Sequence, residues 1–328
     1  MSKLRFGIVG TGCIARRFAQ AIKNVPEAHL VAVASRKQET ADSFADEFNI
    51  PLRFDSYEAM ANSAEIDAAY IAVPHSGHKE CSCLMMNHGK HVLCEKPMAV
   101  NLSEAKEMLK CAENNNVFLM EAMWARFVPG TIKLIEIIRS GLIGEVLGVE
   151  GKFCYTMDED EFDHHVFKSC HGGGSLLDVG VYGLNFASWY LGENVEHISA
   201  EASLFNGVDS HTCVLLKYQN GAIADISSAI LLRKPNEGAI FGTKGYVRVN
   251  RFYAPQELEI HLENGNEEII KVPYKGNGFE EQISHMCDCV SKGLKFSPNN
   301  TLEHTLYITE QMDNIRSEIG VIYPQDKN

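Results

Sequence analysis

Along the first third of the chain, short apolar runs alternate with segments whose apolar positions recur at helical spacing. The runs Arg5–Val9, Leu30–Ala34, Ala68–Val73, His91–Cys94 and Val117–Glu121 read as buried strands. Between them the spacing predicts helices over about Ala15–Asn24, Glu39–Phe48, Ser56–Asn62, Lys79–His88 and Ser103–Asn114. Gly89 is a reasonable helix stop, and Ser103 followed by Glu104 and Glu107 is a good helix start. Buried strands alternating with amphipathic helices imply right-handed crossovers and a doubly wound parallel sheet.

After about residue 122 the pattern changes. Helices are expected over Thr131–Ser140, ending at Gly141, and over Leu176–Leu191. Strands then follow in series: Val146–Tyr155 before the second helix, and after it His197–Phe205, Thr212–Tyr218, Ala222–Ile230, Ala239–Gly242, Tyr246–Asn250, Leu258–Leu262 and Glu268–Val272. Turn signals such as Gln219-Asn220-Gly221, Thr243-Lys244-Gly245 and Glu263-Asn264-Gly265 separate several of them. Two helices, Glu280–Lys292 and Leu302–Ile319, close the chain. The expected class is α/β, with a parallel-sheet domain over residues 1–122 and an α+β domain over 123–328. The second domain holds a large open, mostly antiparallel sheet. Such a sheet must cover its second face, and a homodimer through it is expected.

Composition narrows the class without choosing an activity. A chain of 328 residues with 22% charged and 45% apolar positions is an ordinary globular protein of one or two domains. The net charge of −13 gives no basic footprint for nucleic acid. Ten cysteines include the C-x-C pairs Cys81/Cys83 and Cys287/Cys289, but no paired zinc spacing, and read as reduced thiols. The most apolar long stretch, Leu176–Leu191, carries Asp178 and Asn185 and is too short to span a bilayer. No export signal is read before the first strand, so a soluble, cytoplasmic protein is expected. His164, His165 and His171 beside the acidic run Asp158–Glu161 lack helical ligand spacing, and no metal is expected there.

The first strand breaks into Gly10-Thr11-Gly12-Cys13-Ile14-Ala15, and the apolar pattern resumes at Ile14, Phe18 and Ile22. This is a G-x-G-x-x-A match in strand–turn–helix context. Gly10 permits the turn, Gly12 allows close approach of a pyrophosphate, and Ala15 allows close helix–strand packing. The second strand ends in Ser35-Arg36-Lys37, where NAD-binding chains usually carry Asp or Glu. A hydroxyl and a guanidinium donate to a 2′-phosphate, which favours NADP over NAD. The alternative is that Arg36 and Lys37 are ordinary loop charges.

Lys96 follows the fourth of these strands in Cys94-Glu95-Lys96-Pro97, at the strand end where ligands bind in such sheets. Alone it could equally be a surface lysine. Further on, Gly172-Gly173-Gly174-Ser175 leads into the helix of Asp178, Tyr182 and Asn185. At about 100° per residue these three share roughly 60° of arc on an otherwise apolar helix. They form either a satisfied buried network or a catalytic face.

Taken together, these residues resemble the Gfo/Idh/MocA oxidoreductases across essentially the whole chain. The markers are Gly10–Ala15, Val73-Pro74-His75-Ser76-Gly77-His78, Glu95-Lys96-Pro97, and Gly172 through Asp178 to Tyr182. Met120–Phe127 and the tyrosine at 182 are most similar to the branch of dimeric dihydrodiol dehydrogenase, NADP-xylose dehydrogenase and glucose–fructose oxidoreductase. Many members carry histidine where Tyr182 stands, which points to tyrosine as the acid/base here. The resemblance implies a Rossmann domain, a second α/β domain, and hydride transfer with a sugar, polyol or trans-dihydrodiol.

It also implies the residues of the site. Tyr182 would move the hydroxyl proton, its pKa drawn down from about 10 by the Lys96 ammonium. Asp178 would orient substrate or lysine, and Lys96, Trp124, Asp178, Tyr182 and Asn185 would contact substrate. Gly10, Thr11, Gly12, Cys13, Ile14, Ser35, Arg36, Pro74, His75, His78, Glu95, Lys96, Trp124 and Arg126 would hold the cofactor. As isolated residues, Trp124 fits a core equally well and Arg126 a surface. Two other readings are a catalytically silent NADP-binding regulator, and an enzyme that cycles bound nicotinamide to cleave a glycosidic bond.

Overall fold

The computed structural model describes residues 3–327. It divides into two compact units: the chain through Trp124 together with Lys275–Leu306, and Ala125–Tyr274 together with the chain from Tyr307 on.

In the first unit, β1 (Leu4–Val9), α1 (Cys13–Ala21), β2 (Ala28–Ala34), α2 (Gln38–Phe48), β3 (Leu52–Phe54) and α3 (Tyr57–Ala61) lead to β4 (Ala68–Ile71). They are followed by α4 (His78–Asn87), β5 (His91–Glu95), α5 (Leu102–Asn115) and β6 (Leu119–Ala122). The six strands run parallel in the order β3-β2-β1-β4-β5-β6. Strand β3 was not among the expected elements. It has three residues, none fully buried, and too short a pattern to show periodicity. Helix α5 begins at Leu102, because Asn101 rather than a later residue caps it, accepting from Glu104 N–H at 2.9 Å. Phe18 of α1 stacks on Tyr70 of β4 with centroids 3.8 Å apart, which seats the first helix on the sheet.

The second unit contains α6 (Pro129–Arg139), β7 (Val146–Cys154), α7 (Val181–Leu191) and β8 (Val195–Phe205). Strands β9 (Val208–Tyr218), β10 (Ile223–Ala229), β11 (Glu237–Gly242), β12 (Gly245–Asn250), β13 (Glu257–Leu262) and β14 (Glu267–Lys271) complete its sheet. The eight strands run in the order β14-β13-β12-β11-β7-β10-β9-β8, antiparallel except for the β7–β10 pair. Helix α7 lies close on this sheet because Gly183 has no side chain: a Cβ there would sit 2.4 Å from Ile226 Cγ2.

Helix α8 (Glu280–Ser291) follows, and α9 (Leu302–Ile319) begins in the first unit. The segment around Phe296 extends the first sheet, with Leu119 N–H donating to Lys295 O at 3.1 Å and a parallel bridge from Leu119 to Phe296. A single division at 122/123 therefore misplaces Lys275–Leu306, whose contacts lie with the first unit. Among the described residues no helix is long and apolar enough to cross a membrane.

Candidate active site

In the first unit the turn after β1 has the conformation the glycine pattern requires. Gly10 takes φ +102°, and a Cβ there would lie 2.5 Å from Ala72 O. Gly12 precedes α1 with no side-chain cap, and a Cβ on it would meet no protein atom within 4 Å. The open space and the uncapped N–H groups of α1 fit a pyrophosphate. Thr11 stands between the two glycines, while Cys13 and Ile14 form the first helical positions.

Beyond the end of β2, Thr11, Ser35, Arg36, Lys37 and Thr40 line one open pocket. Ser35 Oγ lies 2.6 Å from Thr40 Oγ1, whose hydroxyl also reaches Lys37 O at 2.8 Å. The lining carries two cations and three hydroxyls and no carboxylate. Its donor set fits a phosphate on the ribose that the turn would hold.

Lys96 is half-buried directly after β5, and its peptide bond to Pro97 is cis. Glu95 is buried and turned inward, where it accepts a hydrogen bond from the Tyr70 hydroxyl. Burial pushes its carboxyl up, against the opposing effects of the Tyr70 bond and the Lys96 charge. The carboxylate thus holds the turn from within and is not presented to a cofactor.

His78 departs from expectation in the same way. It is completely buried, with Nδ1 2.8 Å from Pro97 O and Nε2 2.9 Å from Val73 O. Its ring ties the turn after β5 to the loop after β4. It therefore supports those loops rather than offering a nitrogen to a cofactor. Burial lowers its pKa to about 4, with the Lys96 charge adding to the fall, and outweighs the backbone groups of Pro97, Val73 and Met98 that favour the charged form. His75 is nearly buried and packs edge-on to it at 5.6 Å, while Pro74 is half-buried beside it. Trp124 is buried with Phe279 at 5.2 Å, and the Arg17 guanidinium lies over both rings.

In the second unit, the entry to α7 is not a regular helix. Leu176–Gly180 forms a π turn. Its i→i+5 bonds widen the turn, so Asp178 lies on a wider coil than the regular helix that carries Tyr182 and Asn185. Asp178 is half-buried and accepts from Tyr155 Oη–H at 2.6 Å. Tyr182 packs against Phe153 at 5.5 Å and Tyr253 at 5.7 Å, and those two rings stack on each other at 3.9 Å. Asp178 and Tyr182 thus both meet the end of β7.

Asn185 belongs to the buried alternative: it has no exposed surface, and its amide donates to Val181 O at 2.9 Å. The helix entry is anchored by buried Asp209, whose Oδ2 accepts from Ser175 Oγ, Leu176 N–H and Thr212 Oγ1, each at 2.7 Å. Arg126 sits against the Trp189 ring at 5.8 Å, about two turns along α7 from Tyr182. Burial depresses its pKa.

Tyr155, Phe153 and Tyr253 were missed in the sequence. An alternating pattern over 153–155 at a strand end was the only signal for the first two, and Tyr253 gave none. His164 and His165 lie ring to ring at 4.0 Å. Among the described residues no three His, Cys, Asp or Glu side chains are placed to hold a metal ion.

Two family models match the chain: the oxidoreductase family with NAD-binding Rossmann fold over residues 4–123, and the GFO/IDH/MocA C-terminal domain over 131–248. The chain is 36% identical to trans-1,2-dihydrobenzene-1,2-diol dehydrogenase of Mus musculus, covering 99% of each. The Homo sapiens protein of that name is 33% identical, again over 99% of each. Among solved structures, a 3-ketoreductase from Actinomadura kijaniata, in complex with NADP and TDP-benzene, superposes with a TM-score of 0.89. It is 24% identical over 97% of this chain and 98% of that one. An aldose–aldose oxidoreductase from Caulobacter crescentus gives 0.88 at 25% identity, over 96% and 97%. With nearly full-length relatives above 30% identity and both domain models matched in order, the chain is an oxidoreductase of the GFO/IDH/MocA family.

Proposed function

We propose that this chain is an NADP-dependent dehydrogenase or reductase. Its substrate would be a carbinol or carbonyl carbon of a sugar, polyol or trans-dihydrodiol. Bound NADP would supply or accept the hydride. The cofactor assignment is supported by the carboxylate-free pocket of Thr11, Ser35, Arg36, Lys37 and Thr40. The substrate class is supported by the dihydrodiol dehydrogenase relatives.

The observation that carries the chemistry is Tyr182 seated among Phe153 and Tyr253 on the helix that also carries Asp178. In this reading the Tyr182 hydroxyl takes the substrate proton during oxidation and returns it during reduction. Lys96 binds the substrate oxygen and stabilises the phenolate, and Asp178, held by Tyr155, orients the reacting group. Aromatic surroundings exclude water from the proton transfer.

The test is a screen of NADP and NAD against pentoses, hexoses, anhydrosugars, inositols and trans-dihydrodiols, followed by absorbance of the reduced nicotinamide. Tyr182→Phe and Lys96→Met should abolish turnover while NADP binding survives. Near-normal rates in either variant would remove the mechanism, and a preference for NAD would remove the cofactor assignment.

A further inference from the structure

Glu121, one residue before the end of β6, is an acidic side chain at 2% exposure inside the first unit. A carboxylate is costly to bury unless its oxygens find donors. Here each oxygen has one. Oε1 accepts from Met98 N–H at 3.0 Å, and Oε2 from Thr305 Oγ1 at 3.0 Å. The residue's own carbonyl accepts from Asn300 Nδ2 at 3.1 Å. Met98 stands two residues after Lys96, and Thr305 lies on α9. One carboxyl group therefore joins the turn after β5 to a helix some two hundred residues later in the chain, with Thr305 standing 184 positions after Glu121 itself.

We propose that Glu121 is a positioning residue for Lys96, fixing the Lys96–Pro97–Met98 turn through the Met98 N–H while Thr305 holds the carboxyl group in register. This rests on the reading of Lys96 as a group that touches substrate. The charged groups facing Glu121 are Glu95 from β5 and Lys96 from the turn; α9 brings the Thr305 hydroxyl and the preceding segment the Asn300 amide. Burial pushes the Glu121 carboxyl up to about 7, with Glu95 adding to the rise and Thr305, Met98 and Lys96 opposing it. The acid can donate to Thr305 Oγ1 from Oε2 and still accept from Met98 at Oε1. Glutamine reproduces that pair of bonds without an ionisation.

The experiment compares E121A, E121Q and T305V with the parent protein. Expected for E121A is a fall in kcat on the order of tenfold or more, the scale of losing a hydrogen bond to a charged group. Its NADP affinity and substrate KM should stay within about twofold. E121Q should recover most of kcat, and a bend near pH 7 in the parent kcat profile should be missing from it. T305V should lower kcat in the same direction, and it decides the question if E121A does not fold. Unchanged kcat in E121A or T305V, or a loss of NADP affinity in proportion to kcat, would overturn the positioning role. Normal turnover in K96M overturns the reading of Lys96 itself. A dead K96M beside a normal E121A overturns only the role of Glu121.

Discussion

Tyr155 donates its phenolic hydrogen to Asp178 Oδ2 at 2.6 Å, joining the residue after β7 to the π turn before α7. Burial and the Asp178 charge both push the Tyr155 phenol far above its ordinary range, so it stays a donor throughout the working pH range. Tyr155→Phe keeps the ring and removes the bond. Hydrogen bonds to charged groups contribute about 1.5–3 kcal/mol, so kcat/KM should fall roughly ten- to a hundredfold. The thermal midpoint should move little. Unchanged steady-state kinetics would show that Asp178 needs no such partner.

Arg36 lines the pocket beside Ser35, and its guanidinium suits a phosphate in a way that lysine does not reproduce. Arg36→Ala should weaken NADP binding by roughly ten- to a hundredfold, the scale of one charge-assisted contact. NAD binding should hardly change. Titration of each reduced cofactor by fluorescence measures both. Equal losses for the two would place Arg36 away from the 2′ position.

His78 links acid stability to the loops it braces. Its folded pKa of about 4 lies below the 6.5 of the free side chain, so the unfolded chain binds the extra proton as pH falls. Stability from this residue is full above about pH 6.5 and is lost progressively down to about pH 4, on the order of 3 kcal/mol in all. His78→Gln should flatten that part of the curve of unfolding free energy against pH. An unaltered slope between those values would mean that other groups dominate acid unfolding.

The face of the second sheet turned away from α7 carries exposed Leu215 and Ile223, each at 50% exposure, on neighbouring strands. We expect a second copy of the chain to cover it. Sedimentation should return twice the 36.5 kDa chain mass. Leu215→Lys with Ile223→Lys should return the mass of one chain and leave the nucleotide affinity intact. A monomeric parent protein would rule out this use of the sheet.

The elements were legible wherever the physics is local. The turn at Gly10 depends on a positive backbone angle that glycine takes freely, and the glycine pattern around it announces that angle, though not the Ala72 carbonyl that also excludes a side chain there. Alternating strand and helix patterns placed β1, β2, β4, β5 and β6 and nearly all of the second sheet. What stayed hidden depends on distant partners or on a departure from regular geometry. Nothing near Glu121 in sequence points to Thr305, and nothing near His78 points to Pro97 O. The π turn places Asp178 outside the regular helix that carries Tyr182 and Asn185, and whether Asn185 faces a site or the core is decided by what packs on α7, which its own spacing does not reveal. Tyr155 could not be assigned without knowing which strand end faces that turn.

The return of Lys275–Leu306 to the first unit also sets an order of events during synthesis. Residues through Trp124 leave the ribosome first, yet Glu121 then has no Thr305, and the edge of β6 has no Lys295 to pair with. The nucleotide-binding unit is completed only after most of the other unit has been made, and domains ordinarily close as they emerge. A nascent chain arrested before residue 306 should therefore be more open to protease around β6 than the finished protein. The edge of β6 is thus secured late, by residues far along the chain from the glycines that announce the nucleotide-binding unit.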